Sequence, residues 1–157
     1  MTFFSGTPIV SAENLILPIT EFRHKDLQCY DNMFESCSHL TIAPQLPATT
    51  LTDSCYNGMF TDCTSLTTAP VLPAVTLAES CYRYMFSGCT NLNYIKAMFT
   101  TTPSDTYTQS WVLNVAATGT FVKNSTALWG DKFNIDCIPE GWTVQTADPE
   151  PSDEITI

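Results

Sequence analysis

The sequence predicts an α/β solenoid, a coil that adds one short parallel strand and one short helix or helical turn with every 26-residue repeat. Three observations lead there: one text written three times in phase, an apolar stripe inside each copy, and a short strand-like run after each stripe. A fixed period in the 20–50 range marks units that bury their apolar faces only against their neighbours.

The text reads Cys29-Tyr30-Asp31-Asn32-Met33-Phe34-Glu35-Ser36-Cys37-Ser38-His39-Leu40, then Cys55-Tyr56-Asn57-Gly58-Met59-Phe60-Thr61-Asp62-Cys63-Thr64-Ser65-Leu66. It ends as Cys81-Tyr82-Arg83-Tyr84-Met85-Phe86-Ser87-Gly88-Cys89-Thr90-Asn91-Leu92. The copies start at 29, 55 and 81, a constant step. Within a copy the apolar residues fall at i, i+4, i+5 and i+8, which predicts a two-turn helix held by packing. Asp53 or Ser54, and Glu79 or Ser80, stand where its N-cap belongs. Residues 66–70, with 40–44 and 92–96 as equivalents, read as strands of one parallel sheet. Leu66 and Ala69 face inward, Thr67 and Thr68 outward, and Pro70, with no N–H to give, ends the strand. Leu51 and Leu77 anchor the far side, with Pro47 and Pro73 stiffening the bend.

The beat continues outside the three copies. Residues 1–28 read as a worn first coil, with Phe3 at the first cysteine position, Ser11 at the second and Pro18 in place of Pro44. Trp111, Val112 and Val115 fall one step after Met85, Phe86 and Cys89, so residues 110–117 read as a longer helix in the same slot. Residues 119–123 and 142–146 read as strands, and Pro139-Glu140-Gly141 as a turn. Trp129 and Trp142 cover the end of the core. The chain is then one domain over 1–147: the worn coil, three full repeats over 29–100 and a cap over 101–147. Residues 148–157 form an acidic, proline-bearing tail expected to be mobile.

Composition narrows function more by exclusion. Net charge is −10 with six Lys and Arg, which disfavours nucleic acid and anionic membrane surfaces. No apolar run approaches the length of a span, so no membrane insertion is expected. Met1-Thr2-Phe3-Phe4-Ser5-Gly6 lacks the basic and apolar regions of a secretory signal. Charged residues make up 14%, against roughly 25% in an average chain, so Thr, Ser and Asn supply much of the wetted surface.

Six of the seven cysteines form two columns, Cys29, Cys55, Cys81 and Cys37, Cys63, Cys89. Eight helical residues separate the columns by about 12 Å, too far for a disulfide. In-register thiols point the same way, and three cannot all pair. They read as free, buried, small apolar groups. Their spacing lacks the short loops of structural zinc, and only His24 and His39 remain as other ligands, so no metal and no cofactor is expected.

The repeat text resembles the BspA-like leucine-rich repeats of gut bacterial surface proteins and their phages. Met33-Phe34-Glu35-Ser36-Cys37-Ser38-His39-Leu40 and its two later copies carry the match, with the Leu-Pro-Ala-x-Thr-Leu runs at 46–51 and 72–77. The text at 91–99, 119–124 and 141–144 is similar to that family's C-terminal cap, so the likeness spans residues 27–147 and departs at 1–26. The resemblance implies a right-handed leucine-rich-repeat coil. It also implies a binding module at the cell surface, secreted or virion-associated, and it carries no catalytic residues to transfer.

Two functions are expected from different classes. The first is non-enzymatic recognition or adhesion, with a protein or glycan bound through the strand face at Thr41, Ile42, Thr67, Thr68, Asn93 and Tyr94. The second is a structural piece of a fibre or multidomain surface protein. A hydrolase is disfavoured: Asp148 and Glu150 lie in the tail, no Gly-x-Ser-x-Gly elbow occurs, and neither His sits in a catalytic constellation, so the chain is not expected to be an enzyme. The sequon Asn124-Ser125-Thr126 carries no functional reading.

Overall fold

The computed structural model describes residues 3–21 and 30–150. Cys29, the charged stretch Arg23-His24-Lys25-Asp26 and residues 151–157 of the acidic tail lie outside the described residues.

The segments expected as two-turn helices are chains of overlapping β-turns. In the second copy the N–H groups of Cys55, Asn57, Met59, Thr61 and Cys63 each reach the carbonyl three residues back. Ser54, Gly58 and Asp62, every fourth residue, hold φ of 58°, 63° and 59°. A left-handed residue in third place is the arrangement of a type II turn, and a right-handed helix excludes it. The intervening N–H groups of Ser54, Tyr56, Gly58, Phe60 and Asp62 donate to Glu79, Cys81, Arg83, Met85 and Ser87 of the next copy at 2.7–3.1 Å. Every backbone donor from 54 to 63 is therefore used, half within the turn chain and half between repeats. The apolar spacing misled because a four-residue turn repeat also buries i, i+4 and i+8. Ser54 and Ser80 are left-handed turn residues, not helix caps.

The turn chain recurs wherever the period does. Among the described residues its left-handed positions form three columns, Ser54, Ser80, then Asn32, Gly58, Tyr84, Ser110, then Ser36, Asp62, Gly88, Asn114. The segment expected as a longer helix at 110–117 carries Ser110 and Asn114 in these columns and is likewise not helical. The α-helix among the described residues is one turn, α1 (Asp105–Thr108), whose cap Ser104 accepts the Thr106 N–H.

Side chains inside the turns stack along the repeat axis. Phe4, Phe34, Phe60 and Phe86 form one ladder, with centroids 5.3, 5.5 and 5.8 Å apart and planes within 9°. Tyr30, Tyr56 and Tyr82 form a second, at 5.9 and 6.1 Å. Both end on Trp111, fully buried, whose indole N–H donates to the Cys137 carbonyl. Each buried ring contributes roughly 2–3 kcal/mol by burial and about 1 kcal/mol more by stacking. Leu40, Leu66 and Leu92 are fully buried in one column, and Leu51 and Leu77 are buried opposite, as expected. The second cysteine column is tied into this core: Cys37, Cys63 and Cys89 donate to the carbonyls of Phe4, Phe34 and Phe60 in the preceding repeat.

The first coil has a different register from the one expected. Counting back one common step from Phe34 lands on Pro8, yet Phe4 fills the phenylalanine slot: it stacks on Phe34 and accepts the Cys37 thiol. Thr7, whose N–H and hydroxyl both donate to Phe4 O, takes the cysteine slot expected for Ser11. Ser11 instead bridges Ile42 on the strand side. Extra residues in this coil shift it against the strict count.

The strand side consolidates only late in the chain. β1 (Tyr94–Ala97), β2 (Thr120–Asn124) and β3 (Thr143–Ala147) form a parallel sheet in that order, with Tyr94 opposite Thr120 and Thr120 opposite Thr143. Residues 66–70, expected as a strand, make a single bridge, Thr68 to Tyr94. Ile42 bridges Ser11, and among the described residues no backbone hydrogen bond joins 41–43 to 67–69. Prolines flank the break. Pro44, Pro47, Pro70 and Pro73 line a pocket of about 300 Å³ between these two repeats, and none has an N–H for the ladder. In the next repeat the equivalents are Lys96 and Phe99, and the ladder runs on: Leu72 donates to Lys96 O and Met98 to Leu72 O. Trp129 and Trp142 are buried in the cap, their indoles donating to Phe99 O and Ala116 O.

Candidate functional site

Strand geometry sets which side chains face out. Successive residues alternate, and parallel partners in register project to the same side. Ile95 and Phe121 are fully buried, so Tyr94 and Thr120 turn outward with their partners Thr68 and Thr143. Thr68 and Thr143 are exposed, Tyr94 and Thr120 half-buried. The chain therefore carries a row Thr68, Tyr94, Thr120, Thr143 with rungs about 4.8 Å apart.

Of the six residues expected to bind, four come together. Asn93 N–H donates to Thr67 O, and Thr68 bridges Tyr94, so Thr67, Thr68, Asn93 and Tyr94 form one patch. Thr41 and Ile42 are exposed as expected but tie to the coil in front, Thr41 to Val10 through both its N–H and its hydroxyl. The proline-lined break separates them from the other four. The expectation of one continuous sheet row is corrected to that extent.

Sequence reasoning missed Thr120, Thr143 and Lys96. Thr120 lies one period after Tyr94 and was findable by counting. Thr143 was not: the next count lands on Thr146, but the step from β2 to β3 is shorter and sets Thr143 opposite Thr120. Lys96 lies two residues after Tyr94 on the same strand and side, with Val122 as its register partner.

The remaining chemistry is quiet. Burial pushes the Cys63 and Cys81 thiols up to about 12. It also drives Cys55 and Cys89 well up, with a neighbouring thiol adding to the shift in each. Thiols so held are poor nucleophiles. His39 is exposed, with Nδ1 3.3 Å from the Ser38 hydroxyl. Asp148 accepts the Ser125 hydroxyl. Asn124 of the sequon is buried, its amide donating to Met98 O and its oxygen accepting from Thr126.

No family model, curated protein or solved structure matches the chain.

Proposed function

We propose that this chain is a non-enzymatic recognition or adhesion module of the leucine-rich-repeat kind its repeat text resembles. It acts at a cell surface, in secreted form or on a virion. It binds a protein or glycan through the outward strand face around Thr67, Thr68, Asn93 and Tyr94. The observation that supports this most is the register: Thr68, Tyr94, Thr120 and Thr143 stand side by side on a hydrogen-bonded sheet that holds them at fixed spacing. A row of outward side chains on a rigid backbone forms an extended contact surface at a reduced backbone ordering cost. The test is a glycan array and a pull-down from mucus and serum, with Tyr94→Ala and Thr68→Ala as controls. Binding that both variants weaken supports the reading; binding that neither variant changes contradicts the assigned face.

A second reading, a structural piece of a fibre or multidomain protein, draws on β3. Among the described residues β3 pairs only with β2, leaving one edge of the sheet open to another strand. Light scattering separates the two: concentration-dependent assembly favours this reading, and a monomer at all concentrations argues against it.

A further inference from the structure

The outward strand rows are free of carboxylates. The row Thr68, Tyr94, Thr120, Thr143 holds no Asp or Glu, and neither does the next row, Lys96, the buried Val122 and the exposed Gln145. Thr67 and Asn93, which extend the patch, are also neutral. Lys96 therefore sits on a carboxylate-free strip. Among the described residues no carboxylate lies within ion-pair distance of it. Lys123 shows the contrast: its ammonium is 2.9 Å from Asp131 and lies over the Trp129 ring.

The strip's other feature is Tyr94, on the same strand and side as Lys96, with Thr68 and Thr120 in register on either side. A tyrosine ring offers an apolar face to the C–H edge of a sugar and a phenol to its hydroxyls. The flanking threonines and Asn93 add donors and acceptors in a row. Lys96 adds one positive charge, and among the described residues no carboxylate lies within ion-pair distance to compete for it. Resting on the recognition reading above, we propose that this strip binds an oligosaccharide carrying a carboxylate, a sialic or hexuronic acid. The sugar ring packs on Tyr94 and the carboxylate pairs with Lys96. A protein partner is favoured less, because the strip lacks the cluster of aromatic and arginine anchors that dominates protein interfaces.

The test titrates the full chain at low salt by calorimetry with three probes. They are a sialic-acid-terminated trisaccharide, a hexuronate oligosaccharide and the neutral disaccharide parent of the first. One or both acidic probes should bind more tightly than the neutral one. Lys96→Gln should weaken the acidic probe about fivefold and leave the neutral one unchanged. Tyr94→Ala should weaken every bound probe about tenfold. Lys132→Gln, away from the strip, should change nothing, and circular dichroism establishes that each variant is folded. Equal affinity for acidic and neutral probes, or an unchanged Lys96→Gln, would overturn the charge assignment while leaving recognition at Tyr94 standing. Binding of no saccharide at all overturns the glycan inference, and the pull-down then decides whether recognition of a protein survives.

Discussion

Gly88 and Gly6 separate two costs that a left-handed backbone position imposes. Both have positive φ, 78° and 67°, but a Cβ on Gly6 meets nothing within 4 Å, whereas one on Gly88 runs into the Asp62 side chain of the preceding repeat. Gly6→Ala should therefore cost only backbone strain, about 1 kcal/mol. Gly88→Ala should cost somewhat more, about 1.5 kcal/mol, because the exposed Asp62 side chain must also turn away. Asp62 itself holds φ of 59°, so the contact part is read from a double-mutant cycle, Asp62→Gly alone and in the Gly88→Ala background, by urea denaturation. The thiols give a second test at this scale. Cys63 and Cys81 have folded values near 12 against an ordinary 9.0, because burial disfavours the thiolate. The unfolded chain then loses thiol protons first as pH rises, so the stability these groups lend is complete below about pH 9 and is lost between pH 9 and 12. Each should contribute a decline of about 1.4 kcal/mol per pH unit in that window. Denaturation midpoints at pH 7, 9 and 10 should be level at first and then fall; a rise above pH 9 would contradict the burial.

At the scale of elements, the turn chain is the structural unit, and its aromatic ladder is its main apolar contact. Phe60 has a ring on each side, Phe34 at 5.5 Å and Phe86 at 5.8 Å. Phe60→Ala should cost about 4 kcal/mol, and Phe60→Leu, which keeps most of the volume, about 1.5 kcal/mol or less, read from chemical denaturation. The inward positions of this element were legible from spacing, and its conformation was not. Cys55, Met59 and Cys63 lie four apart in either a helix or a chain of turns. The deciding signal was Gly58 and Asp62, four apart, residue types that tolerate a left-handed backbone. Tyr84 in the same column hid the pattern, since tyrosine rarely adopts φ of 54°. The strand face was legible in its inside and outside, with Leu66 and Ala69 buried and Thr67 and Thr68 exposed. Its continuity was not: Thr41 and Ile42 turn to the coil in front, although they stand one period before Thr67 and Thr68.

At the scale of the whole molecule, each repeat bonds chiefly to its neighbours through backbone amides, stacked rings and cysteine thiols that donate one repeat upstream. Stability should then grow by nearly equal increments per repeat. The common step was readable over the three copies and onward to Trp111 and Thr120. It failed at the two ends, where Phe4 takes the place that counting gives to Pro8, and Thr143 the place that it gives to Thr146. The first coil and the segment after residue 100 do not repeat the text of the three copies, so their packing need not keep the common step. The candidate site inherits this: its centre at Thr68, Tyr94 and Thr120 follows the period, and its margins at Ile42 and Thr143 do not.

The claim beneath all of this is that residues one period apart occupy columns. Removing residues 55–80 joins Ser54 to Cys81 and keeps every column in phase, while removing 55–67 leaves them thirteen places, half a period, out of step. Urea unfolding of the two shortened chains tests the claim most directly. The in-phase chain should fold with a single cooperative transition at a lowered midpoint, and the out-of-phase chain should show no native baseline. Equal stability of the two would contradict the columns.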